Sequence, residues 1–177
     1  MANIGVLVGS LSTRSYSQRI VNYLERSQSF LNLVQLNFDI LPLYNPDLEQ
    51  VPVVEWQVFR NVVDQMDALL IVTPEYNFSI PGGLKNAIDV LSVPLPQAHI
   101  EKKPILVITD SSGERGGVVA NTHIQQLLRY AGANVMNELI AIGKVQDIFD
   151  HNGELQDSQV ATMLDSAVKN FADFAET

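Results

Sequence analysis

The chain has 177 residues, 46% hydrophobic and 18% charged, which is the make-up of a folded domain and excludes a disordered tail. Twenty acidic against 11 basic side chains give a formal charge of −9, the wrong sign for neutralising nucleic-acid phosphates or lying on an anionic membrane. No cysteine is present, which removes disulfides, thiolate metal sites and cysteine nucleophiles, and no apolar run approaches the roughly 20 residues that span a bilayer.

The N-terminal stretch MANIGVLVGS lacks the basic segment and cleavage site of a secretory leader, so a cytoplasmic location is expected. Within it, Ile4 to Val8 is an apolar run ending at Gly9-Ser10, the pattern of a strand buried on both faces of a parallel sheet. Ser15 to Ser29 puts Tyr16, Ile20, Tyr23, Leu24 and Ser27 on one helical face. Leu33 to Leu36 is a second strand, and two prolines between Leu41 and Pro46 exclude regular structure there. Trp56, Phe59, Val63 and Met66 recur at helical spacing, with Trp56 read as core. Ala68 to Thr73 is the clearest strand. Pro81-Gly82-Gly83 introduces a helix with Leu84, Ile88 and Leu91 on one face. Ile105 to Thr109 is a fourth strand, followed by a Gly-rich loop and a helix carrying Ile124, Leu127, Leu128 and Ala131. Val135 to Ile142 reads as a fifth strand, and Val160, Leu164, Val168 and Phe171 stripe the last helix.

Strands alternating with helices imply parallel strands joined by right-handed crossovers. Residues 1–177 are therefore expected to form one α/β domain, a five-stranded sheet covered on both faces. Ligands of such folds bind beyond the carboxyl ends of the strands, where strand order reverses. That rule selects the loops after Val8, Thr73 and Thr109.

The first loop, Gly9 to Ser17, holds four serines, Thr13 and Arg14 between a strand and a helix. Hydroxyls and backbone N–H groups at a helix N-terminus suit a phosphate, although serine also favours the N-cap for its own sake. Neither a Walker loop nor GxGxxG occurs, which argues against nucleoside triphosphate hydrolysis. The distant acidic surface does not veto an anion, because charges beyond a Debye length of about 8 Å are largely screened. In the second loop, Thr73 to Asp89, two prolines and two glycines fix the path while Tyr76 and Phe78 offer flat apolar surface. That combination suits an aromatic ring held by backbone groups.

Pro74-Glu75-Tyr76-Asn77, then Ser79, Pro81-Gly82 and Leu84 to Asp89, closely resemble the NAD(P)H-dependent FMN reductases, a family of flavodoxin-like quinone, chromate and azo-dye reductases. Gly9-Ser10-Leu11 and Ser15 are similar to its phosphate loop, and the resemblance runs over roughly the whole chain in element order. It implies a three-layer sandwich of strand order 2-1-3-4-5 that binds FMN and takes NADPH or NADH as co-substrate. By that resemblance Ser10, Ser15 and Ser17 hold the phosphate, with Arg14 and Tyr16 beside them. Pro74, Glu75, Tyr76 and Asn77 contact the isoalloxazine, largely through their backbone. Ser112 and Gly113 approach from the other edge. It further implies a small-molecule acceptor (quinone, azo compound, metal oxyanion or free flavin) and a homodimer or homotetramer. The chain departs from the family pattern at Ser12, where arginine is usual, at Ser17 for asparagine, at Phe78 for a small residue and at Val90 for tryptophan. Arg14 is the candidate to replace the charge missing at Ser12.

His99, His123 and His151 lack metal-ligand spacing, and Asp147, Asp150, Asn152 and Glu154 do not space as a calcium loop. No GxSxG elbow accompanies the serines. A bound cofactor would supply the redox chemistry, so no catalytic side chain or metal is expected. A flavodoxin-like electron carrier and a domain that has lost FMN are the alternative readings.

Overall fold

The structure is a computed structural model that describes residues 2–51, 53–95 and 98–176. Strand β1 (Asn3–Val8) leads to helix α1 (Tyr16–Ser27) and β2 (Asn32–Gln35). Then come α2 (Val54–Asp64), β3 (Ala68–Pro74), α3 (Gly82–Leu91) and β4 (Pro104–Asp110). Helix α4 (Val118–Tyr130), β5 (Asn134–Val135), β6 (Ile140–Ile142) and α5 (Ser158–Ala175) complete the order. All pairings between these strands are parallel, in the order β2-β1-β3-β4-β5, with β6 also on β4.

Period-2 alternation sorts each central strand between two cores. Ile4, Val6 and Val8 of β1, Leu70 and Val72 of β3, and Leu106 and Ile108 of β4 pack on α1 and α5, against Ile20, Leu24, Leu164 and Phe171. Leu7, Leu69, Ile71, Ile105 and Val107 face the other way, onto Trp56 and Phe59 of α2, Leu84 and Ile88 of α3, and Ile124 and Leu128 of α4. A fully buried side chain of this size contributes roughly 1.5–3 kcal/mol, which is why these strands read as unbroken apolar runs.

The Leu41–Asn45 stretch is irregular, as its prolines require, although Pro46 itself opens a short 3-10 helix (Pro46–Leu48); Asn86 of α3 clamps the stretch. The Asn86 side chain accepts from the Tyr44 N–H at 2.8 Å and donates to the Pro42 carbonyl at 3.1 Å. The Trp56 indole donates to the same carbonyl at 3.0 Å and stacks near Tyr44, so its core assignment holds.

The fifth strand differs from the sequence reading of Val135 to Ile142. It is two segments, β5 and β6, and residues 136–139 stand opposite only Leu106 and Val107 of β4. Buried amides of α4 fill the interrupted ladder. Asn121 donates to the Val107 and Ile140 carbonyls at 3.3 and 3.0 Å, and Gln125 donates to the Glu138 carbonyl at 2.8 Å. Replacing Asn121 by alanine strands those carbonyls in the interior and is expected to cost about 1–3 kcal/mol, read as a lower urea midpoint at unchanged slope.

Candidate functional site

Beyond the carboxyl ends of β1, β3 and β4 lies an open cleft of about 280 Å³. Its wall carries Ser10, Ser12, Arg14, Ser15, Tyr16 and Ser17 from the first loop, Pro74 to Tyr76 from the second, and Asp110 to Ser112 from the third. A larger groove beside β2 and α2, about 470 Å³, is walled mainly by aliphatic side chains such as Leu36, Ile40, Val54 and Val58 and presents no comparable cluster of donors.

Strand β1 ends where Gly9 crosses β3. A Cβ on Gly9 would come within 1.9 Å of the Thr73 hydroxyl, so only glycine lets the loop leave the sheet at this point. The hydroxyl oxygens then accept from the chain itself. Ser10 accepts from the Ser12 N–H at 3.3 Å, Ser12 from the Arg14 N–H at 3.2 Å, and Ser15, the N-cap of α1, from the Gln18 N–H at 3.1 Å. A hydroxyl that accepts in this way keeps its proton to donate, and the Ser10 hydroxyl also lies 3.4 Å from the Tyr76 hydroxyl, where either group can be the donor. The first-turn N–H groups of Tyr16 and Ser17 have no acceptor among the described residues, and no ion pair engages Arg14 there. These donors, with the positive end of the α1 dipole, fit a phosphate group.

Two of the first-loop side chains turn elsewhere. Tyr16 stacks on Phe149 with ring centroids 5.9 Å apart, and Arg19 lies over both rings. Ser17, fully buried, donates its hydroxyl to the carboxylate of Asp110.

In the second loop the Glu75 N–H donates to the Asp110 carbonyl, and Tyr76 and Ser79 exchange backbone hydrogen bonds at 3.0 Å. Asn77 and Phe78, at φ 51° and 57°, form the two-residue tip of this hairpin, with 64% of Phe78 exposed. The left-handed backbone is easy for asparagine and costs a phenylalanine roughly 1–2 kcal/mol. The backbone N–H groups of Glu75 and Tyr76 are thus spent, and those of Asn77 and Phe78 are the donors left at the tip. The Glu75 carboxylate accepts from the Val119 and Ala120 N–H groups at 3.1 and 3.0 Å. It caps α4 from another element, because the helix begins at Gly117 with no side-chain cap of its own.

The third loop is tied to β6. Ser111 donates to the Ile142 carbonyl and Lys144 to the Gly113 carbonyl. Gly116, at φ 62°, packs so closely that a Cβ would sit 2.4 Å from the Ala141 carbonyl carbon. Ser112 lines the cleft, whereas Gly113 and Asn77 fall just outside its wall.

Asp110 is the wall residue that sequence reasoning missed; its one signal was an acid directly after the apolar run of β4. It is 3% exposed, and burial pushes its carboxyl up to about 6 against the opposing pull of the Ser17 hydroxyl. Among the described residues no three His, Asp or Glu side chains are grouped as metal ligands would be. His99 instead pairs with Asp64 at 2.8 Å.

A parallel sheet of this order, with a hydroxyl-lined helix N-terminus at its switch point, defines a flavodoxin-like protein of the flavin-binding kind. Residues 2–147 match the model of the NADPH-dependent FMN reductases, and the chain belongs to that family. A quinone reductase of Pseudomonas putida is 38% identical, covering 98% of this chain and 95% of its own length. The quinone reductase of Escherichia coli K12 is 34% identical, covering 96% and 93%. Among solved structures, FerB, a flavoenzyme NAD(P)H:(acceptor) oxidoreductase of Paracoccus denitrificans, superposes with a TM-score of 0.90 at 30% identity, covering 99% of this chain and 98% of its own. The protein is accordingly an oxidoreductase that uses FMN and NAD(P)H.

The Asp110 carboxyl makes stability depend on pH. Its folded value, about 6, lies above the ordinary 3.8, so the native state holds the proton more tightly between those values. Stability then falls as pH rises through that window, and above it the buried charge costs on the order of 3 kcal/mol relative to the acid. In the FMN-free protein, Asp110→Asn is expected to raise the urea midpoint at pH 8 and to flatten the pH 4–6 segment. Equal midpoints at pH 8 refute this account.

Proposed function

We propose that the protein oxidises NADPH or NADH and delivers the electrons to quinones, with azo compounds, metal oxyanions and free flavin as further acceptors. The observation that carries this reading is the cradle at the start of α1. There the Ser10, Ser12 and Ser15 hydroxyls, the free Tyr16 and Ser17 N–H groups and Arg14 converge beside the Tyr76 hairpin. Two relatives are quinone reductases by name, and this chain resembles them over nearly its full length.

FMN supplies the hydride-accepting and electron-donating chemistry when bound. The residues around it bind and orient. Ser10, Ser12, Ser15 and Arg14 hold the phosphate, and Ser17 contributes its backbone N–H rather than its hydroxyl. Pro74, Glu75 and Tyr76 would form the wall beside the isoalloxazine, and the N–H groups of Asn77 and Phe78 would be available to stabilise negative charge there. Ser112 would close the opposite edge, with Gly113 next to it in the chain outside the cleft wall. The half-exposed Tyr76 and exposed Phe78 leave flat apolar surface at the mouth for an aromatic acceptor. The match to the NADPH-dependent FMN reductases and the likeness to quinone reductases favour this reading over an electron carrier.

We also propose that the chain acts as one domain, in the cytoplasm, as a homodimer or homotetramer. Among the described residues no helix is long and apolar enough to cross a membrane. Exposed Ile40, Leu43, Val54 and Val58 give it apolar surface to cover, and sedimentation equilibrium reads the assembly.

Anaerobic NADPH or NADH is expected to bleach the yellow holoprotein, and benzoquinone to restore the colour; a spectrum unmoved by either nicotinamide overturns the reading. Each charged hydrogen bond contributes about 1.5–3 kcal/mol, so Arg14→Ala is expected to weaken FMN about 10- to 100-fold while leaving riboflavin, which lacks the phosphate, unchanged. Fluorescence titration with both ligands measures the difference.

A further inference from the structure

Two carboxylates share the wall of this cleft, and they are provided for unequally. Glu75 accepts from two N–H groups at the positive end of α4. Asp110 receives one donor, the Ser17 hydroxyl, on Oδ2. Its Oδ1 accepts no hydrogen bond from the described residues, and Asp110 lines the cleft beside Ser10, Arg14 and Ser15.

No cation pairs with Asp110 among the described residues. Arg14 lines the same cleft from the first loop, Arg19 is drawn over the Tyr16 and Phe149 rings, and Lys144 beyond β6 pairs with Glu114 at 2.9 Å. The other titratable groups around the cleft are Tyr16, Tyr76 and Glu75, and α5 meets this face of the sheet with apolar Leu164 and Val168.

A buried carboxylate and a phosphate in one cleft oppose each other as anions; Arg14 and the first-turn N–H groups of α1 favour the charged phosphate, whereas Asp110 has one hydroxyl donor and no cation, so Asp110 is the group that takes the proton. Asp110 is poised for that, with its carboxyl already at about 6 before any ligand charge arrives. We propose that Asp110 meets FMN as a neutral acid, presenting a hydroxyl rather than a carboxylate to the cofactor, so that loading FMN takes up a proton from solvent. Asp110 is in this sense a specificity-determining residue for the cofactor and acts on the protonation state in which the cleft accepts an anion. The inference rests on FMN binding in this cleft.

Linkage gives the sign. Above pH 6 the free protein must recover a proton before binding, so its dissociation constant rises with pH, approaching tenfold per pH unit until the value of the complex is reached. The second ionisation of the phosphate, near 6, acts on every variant alike and cancels in their ratio.

The test compares wild type with Asp110→Asn, which keeps an acceptor for the Ser17 hydroxyl and removes the charge. FMN dissociation constants are measured from pH 5.5 to 8.5 by flavin fluorescence. Calorimetry at pH 7.5 in two buffers of different ionisation enthalpy counts the protons. The ratio of the wild-type to the Asp110→Asn constant is expected to rise at least about tenfold across that range, with extra proton uptake in wild type alone. Parallel profiles, or equal proton counts, overturn the proposal, because a merely structural role shifts affinity equally at every pH. Should Asp110→Asn not fold, Ser17→Ala serves instead. It removes the one hydrogen bond that favours the charged form, and the pH at which affinity begins to fall is expected to move upward; an unmoved onset overturns the proposal. Wild type that binds no FMN at any pH defeats the flavin reading itself, whereas tight binding with parallel profiles defeats only the proton linkage.

Discussion

The chain leaves β1 toward β2 on one side of the sheet and leaves β3 toward β4 on the other. Helix α1 therefore packs on one face and α3 on the opposite face, and no crossover covers the gap between the ends of β1 and β3. Much of the site follows from that gap. Gly9 must pass against Thr73 to reach it, α1 must begin beside it, and the Tyr76 hairpin rises on its far side. The cleft thus comes from topology first, and the side chains only decide what it holds.

The three loops are cross-braced rather than independent. Glu75 of the second loop caps α4, which begins where the third loop ends. Asp110, at the start of the third loop, takes the Ser17 hydroxyl of α1 through its side chain and the Glu75 N–H through its carbonyl. The polar groups that look most chemical in the sequence are in part fasteners. Asn86 of the Leu84–Asp89 motif clamps the Leu41–Tyr44 segment, and Lys85 pairs with Asp89 along its own helix at 2.7 Å. This division leaves the serine hydroxyl protons, the first-turn N–H groups and the hairpin tip as the donors facing a ligand.

How much was legible depends on the range of the interaction responsible. Strands β1, β3 and β4 were readable because burial on both faces writes a continuous apolar run. The α1 cap was readable because Ser15 and Gln18 are three residues apart. The break between β5 and β6 was not, because the amides that replace the ladder come from α4 and nothing in residues 135–142 marks the interruption. Ser17 and Asp110 are 93 residues apart, so neither the diversion of one hydroxyl nor the raised carboxyl of the other could be inferred locally.

By itself, the sequence determined the α/β class and the three loops that meet at the cleft, because each is written in near-neighbour spacing, while the strand order came only through the family resemblance. Only the tertiary structure decided which donors remain free to bind a ligand. That is settled by contacts between elements: the Val119 and Ala120 N–H groups spent on the Glu75 carboxylate, the Ser17 hydroxyl on Asp110, and the Glu75 N–H on the Asp110 carbonyl. The tertiary structure also raised the Asp110 carboxyl, because desolvation belongs to a buried position and not to a residue type.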